Sequence, residues 1–187
     1  KGGGILNSAE KLKNASEDKL YEDAFVRLND LVKMGTGAIE IKSGYGLTLD
    51  SEIKILRVIK RLKENTEVTI KATFLGAHAL PKEFKDNKDG YMDLIINDML
   101  PKVASEKLAD YVDIFCEKGY FTVDDTQRLL KAANELGISS KTHVNQFNAI
   151  GGIKASVDLG ALSVDHLEEM ADEDYHALKG SNCMPTI

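Results

Sequence analysis

Short β-branched runs alternate with amphipathic helical stretches along nearly the whole chain, and this alternation restricts the fold more than any single residue does. Strands are expected over residues 38–42, 68–75, 111–116, 138–143 and 162–166, with a further apolar run from Cys183. Helices are expected between them. One runs from a cap at Ser16 to Lys33, with Leu20, Ala24, Leu28, Leu31 and Val32 on one face. A second, capped by Thr48 or Asp50, carries Ile53, Leu56, Ile59 and Leu62. Others fall over 91–106 with a kink at Pro101, over 123–136 between a Thr122 cap and Gly137, and over 149–159 and 172–179. The polar stretch 84–90 reads as a loop.

About six strand–helix units with short connections make parallel βα repeats, a pattern shared by the eight-fold barrel and the open doubly wound sheet. No G-x-G-x-x-G follows a strand, and polar residues recur at successive strand exits: Tyr45, His78, Glu117, His143 and His166. Both features favour the barrel over a sheet with one switch point. Six units do not close a barrel of eight. The expected fold is therefore α/β, a partial TIM (β/α)8 barrel, with residues 1–187 as one incomplete domain. The opening at Lys1 without a methionine and the apolar ending at Ile187 read as cuts in something longer. Uncovered strand edges near 38–42 and 183–187 would then favour association or poor solubility.

Composition narrows the function. With 43% hydrophobic and 29% charged residues over 187, the chain can bury a core as a soluble globular protein. Its 24 basic residues are scattered against 30 acidic ones, which excludes a nucleic-acid stripe. Cys116 and Cys183 are too few and too distant for a disulfide framework. No signal peptide or long apolar span is present, so the expectation is a cytoplasmic protein with no membrane partner. Residues 2–4 are glycines but lack the Gly-Lys-Ser/Thr ending of a phosphate loop, and read as a linker.

Three of the four histidines, His78, His143 and His166, end strand-like runs. Side chains at the same end of parallel strands converge, and a neutral imidazole is both a ligand for zinc or iron and the acid–base group matched to neutral pH. That arrangement suggests a metal-dependent hydrolase. His176, in a charged helical stretch, looks ordinary. Asp165 precedes His166 and should face away from it, as a hydrogen-bonding or helix-facing residue. Gln146, three residues past His143, can turn back toward a ligand. Glu117 reads as a solvated loop carboxylate, with acid–base work as the lesser alternative.

The strings Glu40-Ile-Lys-Ser-Gly-Tyr-Gly-Leu47, Phe74-Leu-Gly-Ala-His-Ala-Leu-Pro81, His143-Val-Asn-Gln146 and Asp165-His-Leu167 closely resemble the imidazolonepropionase family of cyclic amidohydrolases. The likeness runs in order along nearly the whole chain. It implies a metal-containing TIM barrel that hydrolyses 4-imidazolone-5-propanoate to N-formimidoyl-L-glutamate, homodimeric in its full-length form. By motif match His143 would bind the one divalent ion, zinc or iron. Tyr45, His78 and Gln146 would contact substrate, and His166 would be the catalytic histidine that activates water or stabilises developing charge. The family's His-x-His pair, its metal-binding aspartate, a carboxylate-gripping arginine and a small β domain have no counterpart here. The resemblance therefore implies a segment that by itself holds metal weakly and is inactive.

Overall fold

The computed structural model describes residues 4–187, so Gly2 and Gly3 lie outside it. Six strands, β1 (Ala38–Lys42), β2 (Thr69–Ala77), β3 (Tyr111–Cys116), β4 (Ser139–Val144), β5 (Ser163–His166) and β6 (Met184–Thr186), pair in parallel in sequential order. Such a sheet, with helical connections between successive strands, forms the half-barrel that the alternation predicts. Among the described residues β1 and β6 are its two edges.

The helices begin where local chemistry starts them. A helix not expected from the sequence, α1 (Ile5–Asn14), follows Gly4. In α2 (Glu17–Lys33) and α3 (Leu49–Glu64), Ser16 and Thr48 accept N–H bonds from Lys19 and Ser51. The face of α3 formed by Ile53, Leu56, Ile59 and Leu62 is fully buried, as its spacing requires. In α6 (Val123–Glu135), Thr122 and Asp125 form a reciprocal capping box, and Gly137 follows at φ +71°.

Three local departures have physical causes. Asn87 caps α4 (Lys88–Leu94) three residues before the expected start, its side chain accepting from the Gly90 N–H. A wide π turn, Ile95–Met99, then joins α4 to α5 (Leu100–Ser105), because Pro101 has no N–H to continue the ladder. After β4, the irregular segment 145–151 shortens the next helix to α7 (Gly152–Asp158). The last helix, α8 (Asp172–Leu178), places His176 in an exposed final turn.

One continuous core lies between sheet and helices, with Phe74, Tyr91, Met99, Val112, Ile114 and Leu129 fully buried. In β2 the register slips between Phe74 and Ala77. The Gly76 carbonyl accepts the buried Tyr91 hydroxyl at 3.0 Å. Gly76 is required there, because a Cβ would sit 2.5 Å from the Phe74 ring. No described helix is long and apolar enough to cross a membrane. Both cysteines are free and buried.

Candidate active site

The strand exits bring the three histidines together. His143 lies 6.5 Å from His78 and 5.3 Å from His166, centroid to centroid. Phe115, the register partner of His143, packs edge-on against both His78 and His143 at 6.4 Å. Tyr45, in the loop after β1, meets His78 edge-on at 5.1 Å and is 42% exposed, so it stands at the rim. Gln146 is half-buried just past β4, after Asn145 at φ +55°.

Beneath the histidines is a layer of charge that alternation explains. Glu40 and Lys42 share one face of β1, Lys141 and His143 one face of β4, and Ser163 and Asp165 one face of β5. Lys42 Nζ reaches Asp113 at 2.7 Å, Glu40 at 3.1 Å and Asp165 at 3.4 Å. Lys141 closes on Glu40 at 2.5 Å. Burial alone would push the Asp113 carboxyl up, but the His143 ring, when protonated, and the Lys42 ammonium beside it hold it at about 2. Burial alone would lower Lys42, yet its carboxylate partners raise it well above the usual lysine range.

Asp165 therefore requires a correction in part. It is a hydrogen-bonding residue, taking bonds from Ser163 and Thr186, but it faces the barrel interior and not a helix. In register it stands opposite His143. His166, its neighbour, reaches the same site because the strand breaks there: φ is +94° at His166 and +66° at Leu167, which undoes the alternation of faces. A non-glycine residue held at such angles is strained, as functional sites often are.

Glu117 also departs from expectation. It is 1% exposed, and its carboxylate accepts the N–H groups of Lys118, Phe147 and Asn148 and the Asn148 side-chain amide, at 2.7 to 3.2 Å. It anchors the loop after β4 and is not a solvated carboxylate. Two further buried carboxylates do similar work. Glu52 of α3 holds the loop after β1, and Asp174 of α8 accepts from the Asn145 amide and the Ala171 N–H.

Asp113, His143 and Asp165 place ligand atoms within 4.8 Å of one another, one imidazole and two carboxylates able to hold a metal ion. The His143 Nδ1 atom is buried, lies 2.9 Å from Asp113 Oδ2 and yet has no hydrogen-bond partner, since the contact lacks hydrogen-bond geometry. An orphaned imidazole nitrogen fits a cation. Lys42 already pairs with both carboxylates, so His143 is the donor left free. A separate opening of about 410 Å³ lies at the opposite mouth, lined by Ala38, Thr69, Tyr111, Lys141 and Ser163 at the strand starts. It contains no histidine, and barrel chemistry belongs at the other end.

The chain is similar along its length to curated proteins named imidazolonepropionase. The one from Christiangramia forsetii is 61% identical over 185 residues, which is 99% of this chain and 45% of the relative. Those from Flavobacterium johnsoniae and Shewanella woodyi are 58% and 46% identical over 99% and 100% of the chain. The chain thus spans just under half the length of these relatives. No family model matches it. Among solved structures, 5-methylcytosine deaminase from Klebsiella pneumoniae, liganded with 5-fluorocytosine, superposes with a TM-score of 0.72. That match covers 97% of this chain and 46% of the deaminase at 11% identity, a likeness of fold.

Proposed function

We propose that this chain supplies the central barrel segment of an imidazolonepropionase, a hydrolase that opens 4-imidazolone-5-propanoate with water to give N-formimidoyl-L-glutamate. The observation that carries the reading is the convergence of His78, His143 and His166 at one barrel mouth, in a chain whose whole length matches proteins of that name.

His143 would hold one divalent ion, zinc or iron, through its free imidazole, with its remaining ligands from outside this segment. When bound, such an ion supplies hydroxide near neutral pH and polarises the carbonyl under attack. The chain's own residues do the rest. Tyr45, His78 and Gln146 line the approach and orient the imidazolone ring. His166 has Nδ1 3.5 Å from Glu168 Oε1, which leaves Nε2 to take the proton of the attacking water and hand it to the departing ring nitrogen. Attack at the ring carbonyl forms the new C–O bond, and the ring amide C–N bond breaks. Phe115 and Tyr120, their rings tilted against each other at 4.6 Å, wall the site on the side of β3 and keep water away from the ring face. The enzyme is a cytoplasmic homodimer in its full-length form.

The test replaces the corresponding segment of the Christiangramia forsetii relative with this chain and measures bound metal. The graft should retain about one divalent ion per chain, as a one-metal site requires, and lose it in the His143→Ala form. A graft without metal, or one whose metal survives that substitution, contradicts the reading.

A further inference from the structure

The loop after β1 is held from below by a carboxylate on the helix that follows it. Glu52 is fully buried, and its Oε1 accepts the N–H groups of Gly46 at 2.6 Å and Leu47 at 3.0 Å, while Oε2 accepts that of Gly44 at 2.9 Å. This anchor fixes the direction of the Gly44 carbonyl, which lies 3.0 Å from His78 Nδ1. A carbonyl oxygen can only accept, so Nδ1 must carry the hydrogen. The close approach depends on glycine. Gly44 sits at φ +97°, and a Cβ there would stand 2.7 Å from the Leu75 carbonyl and 3.1 Å from the His78 ring.

We infer that Glu52, acting through the Gly44 carbonyl, locks His78 as the Nδ1–H tautomer and so makes its Nε2 a hydrogen-bond acceptor toward the site. Neutral histidine in water prefers the opposite form, so the loop selects the less common tautomer. Burial also pushes the His78 ring below its ordinary pKa, which keeps it neutral. A ligand edge that carries an N–H or O–H then matches His78, and one that offers only a carbonyl does not. That ligand preference rests on the reading of His78 as a substrate contact. The tautomer rests on this structure alone. Glu52 is a positioning residue here, since it reaches the site only through the loop.

Long-range proton–nitrogen correlation spectra of the ligand-free, histidine-labelled chain at pH 8 test the tautomer without any assumption about catalysis. The expected result is a protonated, pyrrole-type Nδ1 and a bare, pyridine-type Nε2 at His78. An Nε2–H signal there overturns the inference. Glu52→Gln must point its amide nitrogen at either Gly44 or the Gly46–Leu47 pair, so its His78 should shift toward the Nε2–H form while the exposed His176 signals stay in place. Gly46→Ala, whose Cβ would stand 2.8 Å from Glu52 Oε1, disturbs the same anchor from the loop side and should do likewise. Unchanged Nδ1–H in both folded variants overturns the role of Glu52. So does rapid hydrogen exchange at the Gly44 and Gly46 amides of the unsubstituted chain, a measurement that needs no variant.

Discussion

Replacing Glu117 by glutamine tests the loop anchor under His143 and Gln146, and its cost can be worked from the contacts. Oε2 accepts the N–H groups of Phe147 and Asn148, and Oε1 accepts the Lys118 N–H and the Asn148 amide. A glutamine has one accepting end. Whichever way it turns, its NH₂ faces two donors, which lose their acceptor in a buried setting. Two charge-assisted bonds lost there cost about 2–4 kcal/mol, allowing for partial relaxation toward water. In urea that is a midpoint shift of about 1–2 M at a slope of roughly 2 kcal/mol per molar. The slope should be unchanged, and the Phe147 and Asn148 amides should lose exchange protection. Burial alone would raise the Glu117 carboxyl, but the bonds it accepts hold it below the ordinary value. A depressed folded-state pKa means that the stabilisation is complete above the unfolded value, about 4.3, and fades as pH falls through the folded one. The gap between the two proteins should therefore close in acid. A gap under about 0.5 kcal/mol at pH 7, within the range of ordinary surface substitutions, refutes the reasoning, as does one that does not narrow as pH falls below the unfolded value.

Asp113→Ala leaves Lys42 with only Glu40 and Asp165 in a half-buried setting and should cost about 3 kcal/mol in urea unfolding, the low end for breaking a buried pair. The Asp113 contribution in the unsubstituted chain should survive to lower pH than that of an ordinary aspartate, fading only as pH falls through about 2. Gly76→Ala drives a Cβ into the Phe74 ring and should lower stability by about 1–3 kcal/mol by thermal melting. Tyr91→Phe leaves the Gly76 carbonyl without its donor and should cost about 1–2 kcal/mol in the same assay.

The barrel was legible because period-2 runs and capped period-3.6 runs alternate without long interruptions, and the histidines were legible because each ends such a run. What the chain concealed lay in contacts between distant segments. The buried roles of Glu52, Glu117 and Asp174 depend on which loop each helix or strand end lies beneath, and nothing local to those carboxylates reveals that. Asp113 and Lys42 were missed although a signal existed. A carboxylate in the middle of the apolar run Tyr111–Cys116, and two charges two residues apart in Ala38–Lys42, mark an inward-facing polar layer. Asp165 was read by strict alternation, and the positive φ at His166 that breaks the alternation has no sequence signature, since the residue is not glycine. The α1 helix was missed because a run of glycines precedes it, and the π turn because Pro101 was expected to kink a helix rather than widen it.

Hydrolysis of 4-imidazolone-5-propanoate by the Christiangramia forsetii relative carrying this chain in place of its own segment tests the central claim most directly. The account predicts kcat/KM within about tenfold of the unaltered relative, a difference of about 1.4 kcal/mol at the transition state, and a fall of at least about a hundredfold, the low end for losing an acid–base group, in its His166→Ala form. A well-folded, metal-loaded graft that leaves this substrate unchanged, or one indifferent to the loss of His166, would contradict it.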